Sequence, residues 1–284
     1  MRKLNFKNCV LAVLSVGCLT AIALFIAAVL LFQKYYPVIK APKENKSTHL
    51  ISKEKPVKLS VGLIADTEND WDNTQKALNE IKSKNIEYVF HVGDLTQLGV
   101  SEDFQSIKKL FDNSGLKVYS VPGDRDLWKS SGVSGYEKWF GMPYQFIVIN
   151  GLRFIFIDNS NEYEGIGPEE WQFIEQNVTA SDFVILHNPL HVGSFALGRK
   201  GMGEYSNEVD TQRIRLLGLI RPTNVKAVFA GDQHIFSENV DEQLNDLFHY
   251  VVGSLNQERS LVPTYAILSV YEDGDYFVEN INLE

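Results

Sequence analysis

Cysteine is almost absent from this chain of 284 residues, which contains only Cys9 and Cys18. Both lie in one long apolar run near the N-terminus, so the rest of the chain has neither disulfide bonds nor thiolate ligands. A metal bound elsewhere in the chain would therefore depend on carboxylates, imidazoles or neutral oxygen groups. The chain also lacks an internal repeat, and its length suits one or two domains with a full-sized core.

Positive charge is scarce after residue 57. Residues 1–57 hold nine Lys or Arg against two Glu, so the net charge of −9 for the whole chain leaves −16 on residues 58–284. So acidic a segment repels a nucleic-acid backbone, which disfavours DNA and RNA as partners unless bound cations reverse the local field. The acidity fits a metal site, although a merely solvated surface explains most acidic proteins.

The only long hydrophobic run, residues 9–32, contains no charged side chain. As a helix it would extend about 36 Å, enough to cross a bilayer core of about 30 Å. The run is longer than the roughly 7–15 apolar residues of a signal peptide, and no small-x-small cleavage site clearly ends it. We therefore interpret it as a transmembrane helix that tethers the protein to a membrane.

Three segments follow from this interpretation: a cytoplasmic tip with a transmembrane anchor (1–32), a flexible linker (33–57) and a folded domain (58–284). The linker is rich in Lys, Pro and polar residues without periodicity, which is typical of a tether. Arg2, Lys3 and Lys7 favour a cytoplasmic N-terminus, although lysines in the linker weaken the charge asymmetry. We predict a single-pass membrane protein whose folded domain lies outside the cytoplasm.

From residue 58 the sequence alternates apolar strands with amphipathic helices, as in βαβ units. Strands are predicted at 59–65, 88–92, 117–121, 144–150, 152–158, 182–186 and 225–230, and helices at 71–84, 102–111, 168–177 and 208–220. Asn150-Gly151 predicts a hairpin, and the tail (247–252, 264–271 and 276–282) reads as antiparallel strands with a turn at Asp273-Gly274. This mixture predicts one layered α/β domain.

Polar side chains stand where five of these strands end. They are Asp66 and Glu68, Asp94, Asp124 with Arg125 and Asp126, His187, and Asp232 with His234. Each is weak alone, because an Asp after a strand is commonly a turn former or helix cap and a lone His is commonly structural. Five strands in succession that each end at such residues are harder to explain as turn formers and caps. Open α/β folds build their sites from several strand ends at one edge of a sheet.

The order and spacing of these residues resemble the calcineurin-like metallophosphoesterase family. Its motifs run Asp-x-His, Gly-Asp, Gly-Asn-His-Asp/Glu, a lone His and Gly-His-x-His, and the resemblance covers roughly residues 58–283, including the hairpin ending at 157–159. It implies a layered α/β/β/α sandwich of mixed sheets. It also implies hydrolysis of a phosphomonoester or phosphodiester by a metal-bound hydroxide at a site with two divalent ions.

Under this resemblance Asp94 bridges the two metals, Asp66 and His234 serve the first, and His187 serves the second. The chemistry agrees, since two cations about 3.5–4 Å apart neutralise a phosphate ester, lower the pKa of water and orient its attack. Carboxylates and neutral imidazoles suit Mn, Fe, Zn or Mg ions.

The sequence departs from the family pattern at four positions. Glu68 stands where the family has a His ligand, Asp124 where it has Asn, and Asp232 where it has the first His of the last motif. Arg125 replaces the His that the family uses near the leaving-group oxygen. The implied metal ligands are therefore Asp66, Glu68, Asp94, Asp124, His187, Asp232 and His234. Their five carboxylates and two divalent ions would carry a net charge of −1, which weakens Lewis acidity and repels phosphate unless Arg125 or a cation of the 189–205 loop, such as Arg199 or Lys200, compensates.

Two interpretations remain open at this point. In the first, the oxygen-rich site prefers Mg, Mn or Ca, Arg125 clamps the phosphoryl group, and Asp126 orients Arg125 through an ion pair. In the second, the domain is a catalytically inactive phosphoesterase fold that serves as a membrane-tethered binding or scaffold module. All three substituted ligands can still coordinate a metal, which favours the enzyme. No long capping insertion or nucleotide-specific element indicates the substrate.

Overall fold

The computed structural model describes residues 55–193 and 201–284, and Pro56–Glu284 forms a compact unit. Its strands are β1 (Val57–Ile64), β2 (Tyr88–Val92), β3 (Lys117–Val121), β4 (Gln145–Ile149), β5 (Leu152–Phe156), β6 (Phe183–Ile185), β7 (Ala227–Ala230), β8 (Ser237–Val240), β9 (Phe248–Val251), β10 (Thr264–Tyr271) and β11 (Tyr276–Asn282). Its α-helices are α1 (Trp71–Ser83), α2 (Ser101–Ser114), α3 (Ser134–Phe140), α4 (Pro168–Asn177) and α5 (Asn207–Ile220), with 3₁₀ turns at Arg125–Leu127 and Val178–Ala180.

The strands form two mixed sheets. The first has the order β11-β10-β1-β2-β3, in which β1, β2 and β3 are parallel and β10 pairs antiparallel with both β1 and β11. The second has the order β4-β5-β6-β7-β9-β8, with β5, β6, β7 and β9 parallel and an antiparallel strand at each edge. The parallel strands of each sheet therefore present their carboxyl ends at one edge, where α/β folds place their sites.

The two sheets pack face to face and helices cover both outer faces. Between the sheets, the ring of Phe90 from β2 contacts Phe154 and Phe156 from β5 edge-on, with ring centroids 4.9 and 5.0 Å apart. Apolar residues of α1, α2 and α3 fill the outer face of the first sheet, and those of α4 and α5 fill the outer face of the second. The predicted mixed α/β sandwich is confirmed as four layers, helix, sheet, sheet and helix.

Most predicted elements are present, and the pairing predicted for one strand was wrong. Asn150 and Gly151 adopt φ of 50° and 76°, the positive values that a two-residue type I′ hairpin turn requires. In contrast, the strand predicted at 247–252 as part of an antiparallel tail is β9, which lies in the second sheet, parallel to β7 and antiparallel to β8, and does not pair with β10 or β11. An apolar run predicts that a strand exists but does not show which strands it pairs with or in which direction. Helix α3 and strand β8 were not predicted.

No helix within residues 55–193 or 201–284 combines the length and the apolar composition that crossing a membrane requires. The anchor predicted at residues 9–32 lies outside the described residues, as do Arg199 and Lys200 of the predicted basic loop. Both therefore stay predictions.

Candidate metal centre

The site lies where strands of both sheets end. In the first sheet, the N–H of Asp66 donates to Gly93 O (3.1 Å), joining the segments that follow β1 and β2. Between the sheets, the N–H of Asp232 donates to Asp66 Oδ1 (3.0 Å), and His187 Nδ1 contacts Val92 O (2.9 Å). The strand ends that the sequence analysis singled out thus meet at one edge of the sandwich.

Five of the seven predicted metal ligands form two overlapping groups. The ligand atoms of Asp66, Asp94 and His187 lie within 4.8 Å of one another, and so do those of Asp124, His187 and Asp232. His187 belongs to both groups. Among the described residues, the other two predicted ligands, Glu68 and His234, belong to neither, and they lie 3.6 Å apart (Oε1 to Nε2).

His187 is oriented for binding a metal through one nitrogen. Because a carbonyl oxygen can only accept, Nδ1 must donate its proton to Val92 O, which leaves Nε2 as the ligand atom. Nε2 lies 3.4 Å from both Asp94 Oδ1 and Asp124 Oδ1. Burial alone would lower the pKa of His187, but the surrounding carboxylates, Asp94 first, raise it well above its ordinary value.

The carboxylates at the centre are buried against one another. Burial is the main cause that raises the pKa of Asp66 to about 8, with the charge of His187 opposing it and that of Asp232 adding to it. Burial likewise raises the pKa of Asp94. One oxygen of Asp66, Oδ2, is buried without a hydrogen-bond partner. Buried charges in proteins are paired or bind metals, so this donor set of carboxylate oxygens and one imidazole fits a divalent cation.

Backbone strain is concentrated at the same residues. Asp66, Glu68, Asp94, Asp232 and His234 all have positive φ, between 39° and 66°. This left-handed region is uncommon for residues other than Gly, and such strained conformations cluster at functional sites. The strain is therefore a second, independent mark of a site here.

Glycines allow the loops of the site to approach each other. A Cβ on Gly123 would lie 2.1 Å from Asp94 Oδ1 and 2.2 Å from the backbone N of Asp94. A Cβ on Gly93 would lie 2.3 Å from His187 Nδ1. The Gly that precedes the Asp in each of these motifs is thus required by close packing against a ligand residue.

Asp126 connects two loops of the site. Its carboxylate accepts four hydrogen bonds of 2.8–3.1 Å, from the backbone N–H groups of Leu95, Thr96 and Gly123 and from the Thr96 hydroxyl. These bonds hold the loop after β2, which carries Asp94, against the loop after β3. The predicted ion pair between Asp126 and Arg125 is not among these four contacts, whose donors are three backbone N–H groups and the Thr96 hydroxyl.

Arg125 lies beside the ligands with its charged group on an aromatic ring. Its backbone N–H donates to Asp94 Oδ1 (3.0 Å), and its guanidinium carbon lies 4.2 Å from the ring centroid of Trp128. Trp128 is itself 57% exposed. Burial alone would raise the pKa of Asp124, but His187 and Arg125 lower it below its ordinary value.

Arg259 is a site residue that the sequence analysis missed. Its guanidinium binds the Glu68 carboxylate through Nε, 2.9 Å from both oxygens, and through Nη2, 2.6 Å from Oε2. The Glu68 side chain is fully buried. The excess negative charge predicted for the site called for a cation, and that was the only available signal.

Asn159 and Glu162 were also absent from the predicted site residues. Asn159 Oδ1 accepts from the backbone N–H groups of His187 (3.0 Å) and Asn188 (2.9 Å) and so fixes the loop that carries His187. Burial raises the pKa of Glu162 to about 7, with further contributions from Asp124 and Asp232. Glu162 therefore lies near enough to the site to add to its negative charge.

The comparisons with known proteins agree with this geometry. The family model described as the calcineurin-like phosphoesterase superfamily domain matches residues 59–273. None of the curated proteins compared with the chain matches it in sequence.

Solved structures resemble the chain in fold. A dimetal phosphatase from Danio rerio is 13% identical, with 80% of this chain and 99% of that chain covered and a TM-score of 0.57. A purple acid phosphatase from yellow lupin (Lupinus luteus) seeds is 15% identical, with 79% and 51% covered and a TM-score of 0.60. The protein TT1561 of Thermus thermophilus is 15% identical, with 80% and 99% covered and a TM-score of 0.53. At these identities the likeness establishes the fold alone.

Proposed function

This chain belongs to the calcineurin-like phosphoesterase superfamily, and from that premise we propose that it hydrolyses a phosphomonoester or phosphodiester in a metal-dependent reaction. The observation that carries the proposal is the convergence of carboxylates on both sides of His187, with ligand atoms within 4.8 Å of one another. The solved structure from Danio rerio with the same fold is described as a dimetal phosphatase. Two of the carboxylates that replace family ligands, Asp124 and Asp232, belong to these groups, and their oxygens suit hard cations.

Each residue has a distinct task in this proposal. Either of the two groups, Asp66, Asp94 and His187 or Asp124, His187 and Asp232, would hold a divalent cation. Such an ion neutralises the charge of a phosphate ester and favours ionisation of a water molecule. Val92 O keeps the proton of His187 on Nδ1, so Nε2 faces the carboxylates.

Arg125 supplies charge without supplying a proton. Its guanidinium stays protonated at any ordinary pH, and its planar fork suits two oxygens of a phosphoryl group. Trp128, stacked on it at 4.2 Å, limits where that fork can reach. Hydrolysis should therefore favour esters whose leaving group departs without a proton from this position, such as aryl esters.

The test is a turnover assay on the purified full-length protein with aryl and bis-aryl phosphates and added Mn²⁺, Mg²⁺ or Zn²⁺. We expect metal-dependent hydrolysis that Asp94→Asn reduces by at least about 100-fold, because a buried carboxylate ligand of the cation is lost. Asp112→Asn is the matched control, since Asp112 is an exposed carboxylate paired with Lys108 on α2. Absence of turnover with every metal would support the inactive scaffold instead.

We further propose that residues 9–32 anchor the protein in a membrane, with the folded domain outside the cytoplasm. The uncharged apolar run of that segment motivates the proposal. Carbonate extraction of membranes tests the anchor, and protease protection of the domain in intact cells tests its orientation. Release of the full-length protein by carbonate would contradict it.

A further inference from the structure

We infer that Arg259, bound to Glu68, takes the place of one of the two divalent ions, so that the site binds a single ion beside His187. The inference rests on the proposed function in one respect, that the cluster is a metal centre. It concerns how many ions the chain's own residues leave room for. Its basis is the contacts of Glu68, His234 and Arg259.

Glu68 is committed to the guanidinium. Both of its oxygens lie 2.9 Å from Arg259 Nε, and Oε2 also lies 2.6 Å from Nη2. This edge-on, two-oxygen pairing is the strong form of an Arg–carboxylate contact. The carboxylate is fully buried and 28% of the Arg259 side chain is exposed. A buried carboxylate held in this way is costly to separate from its partner.

The backbone around the pair is fixed as well. The N–H of Glu68 donates to Asp94 O (3.1 Å), and Asn256 Nδ2 donates to Glu68 O (3.2 Å). The N–H of Asn256 also donates to Asp66 O (3.2 Å). The segment that carries Arg259 is thus bonded directly to the first motif of the site, so the pair is part of its framework.

The ligand atoms also separate Glu68 and His234 from the residues that can hold an ion. Both groups that can hold an ion contain His187, and among the described residues neither contains Glu68 or His234. His234 Nε2 instead lies 3.6 Å from Glu68 Oε1. Glu68, one of the four residues that the family pattern assigns to the other half of the site, is therefore already paired with a cation, and a divalent ion bound to the same carboxylate would be repelled by it.

The experiment counts bound ions. Full-length wild-type protein is loaded with Mn²⁺, dialysed and analysed for bound metal, and electron paramagnetic resonance distinguishes an isolated Mn²⁺ from a coupled pair. We expect one equivalent with an isolated signal in the wild type. Arg259→Met should bind two equivalents with a coupled signal, because Glu68 becomes available to a second ion.

A second variant guards against misfolding of the first. The double variant Glu68→His with Arg259→Met restores the family ligand type and leaves no unpaired buried carboxylate at this position, and it should also bind two ions. Arg153→Met is the matched control. It removes a similar two-oxygen pair, with Asp182 at the start of β6, away from the strand ends of the site, and should still bind one.

The outcomes separate the two proposals. Two equivalents in the wild type would overturn the inference alone, and Arg259 would then be a cation that balances the five carboxylates beside two ions. One equivalent in the wild type and in both folded variants would also overturn it, because the guanidinium would not limit the number of ions. No bound metal in the wild type would overturn the proposed function.

Discussion

At the scale of single residues, buried carboxylates outside the metal centre also affect folding. Glu170 on α4 is only 6% exposed, and its Oε1 accepts a hydrogen bond from the backbone N–H of Asp158 (2.6 Å). Burial first, and then the charge of Asp158, together raise the pKa of Glu170 from 4.5 to about 9. Folding at neutral pH therefore requires Glu170 to take up a proton, which lowers the free energy of unfolding.

Glu170→Gln should remove this cost, because the amide oxygen can still accept from Asp158 while the ionisable group is gone. The folded pKa is raised, so the wild type loses stability as pH rises from about 4.5 toward 9. We expect the variant to be more stable by roughly 1–3 kcal/mol at pH 8 and to differ little at pH 4.5. Urea unfolding at several pH values measures the difference.

Glu175→Gln is the control for this prediction, since Glu175 lies on the same helix and is about half exposed beside Arg215. Its effect should stay within about 0.5 kcal/mol at each pH. A Glu170→Gln advantage that is constant between pH 4.5 and 8 would contradict the assigned cause.

Single residues also mark the limit of what the sequence could predict about the site. Asp66, Asp94, Asp124, His187 and Asp232 follow apolar strands, so the strand pattern brings them to one edge and the structure places their side chains together. Arg259 reaches Glu68 across 191 positions of the chain. No local pattern encodes that pairing, because a side-chain contact between distant loops depends on the completed fold.

At the scale of elements, the site depends on how closely the loops after β2 and β3 can approach. Gly123 has no Cβ, and this lets the segment after β3 lie against both the carboxylate and the backbone N of Asp94. Asp126 then fastens the two loops through its four hydrogen bonds. The position of the proposed metal ligand Asp94 is thus set by contacts between loops and not by its own strand.

Gly123→Ala should therefore damage the metal centre as well as the fold. The added Cβ would meet Asp94 at 2.1–2.2 Å, so the loops must separate. We expect a loss of roughly 1–3 kcal/mol in the free energy of unfolding and a fall of about 10–100-fold in metal affinity. Thermal unfolding and isothermal titration with Mn²⁺ measure the two effects.

Gly218→Ala is the matched control, because a Cβ at this position of α5 would meet nothing within 4 Å. There the replacement should stabilise the helix by about 0.5–1 kcal/mol and leave metal affinity unchanged. Unchanged metal affinity in Gly123→Ala would refute the packing role given to this glycine.

Some strands and helices were predicted well and others were missed, and the difference lies in how clear their hydrophobic pattern is. Strands β2, β3, β10 and β11 have the predicted bounds, since their apolar or alternating runs end at clear turn residues. Strand β8 is the polar segment Ser-Glu-Asn-Val at a sheet edge, with two exposed residues, so no hydrophobic pattern signals it. Helix α3 has only seven residues, which is too short for its periodicity to stand out.

At the scale of the whole molecule, negative charge surrounds the candidate metal centre. Residues 58–284 carry a formal charge of −16, and the site itself contains five carboxylates. Beside Glu68 a cleft of about 380 Å³ is lined by further acidic side chains, Asp70, Asp72 and Glu258. Such a field attracts cations to the centre but opposes a highly charged anionic substrate.

The charge predicts a preference between substrates with the same leaving group. At pH 8 a 4-nitrophenyl phosphate monoester carries a charge of about −2, whereas the bis(4-nitrophenyl) diester carries about −1 and is repelled less. We expect kcat/KM at low salt to favour the diester by at least about 10-fold. The ratio should shrink as salt rises, because the Debye length falls from about 10 Å at 0.1 M to about 3 Å at 1 M.

Glu162→Gln tests whether the site's own field causes the preference. Glu162 lies near enough to Asp124 and Asp232 for their charges to raise its pKa, so removing its charge should raise kcat/KM for the monoester more than for the diester. The exposed Glu175 on α4 provides the control, and Glu175→Gln should leave the ratio unchanged. A diester-to-monoester ratio of kcat/KM that is insensitive to both salt and Glu162→Gln would mean that specific contacts, and not the acidity of the molecule, select the substrate.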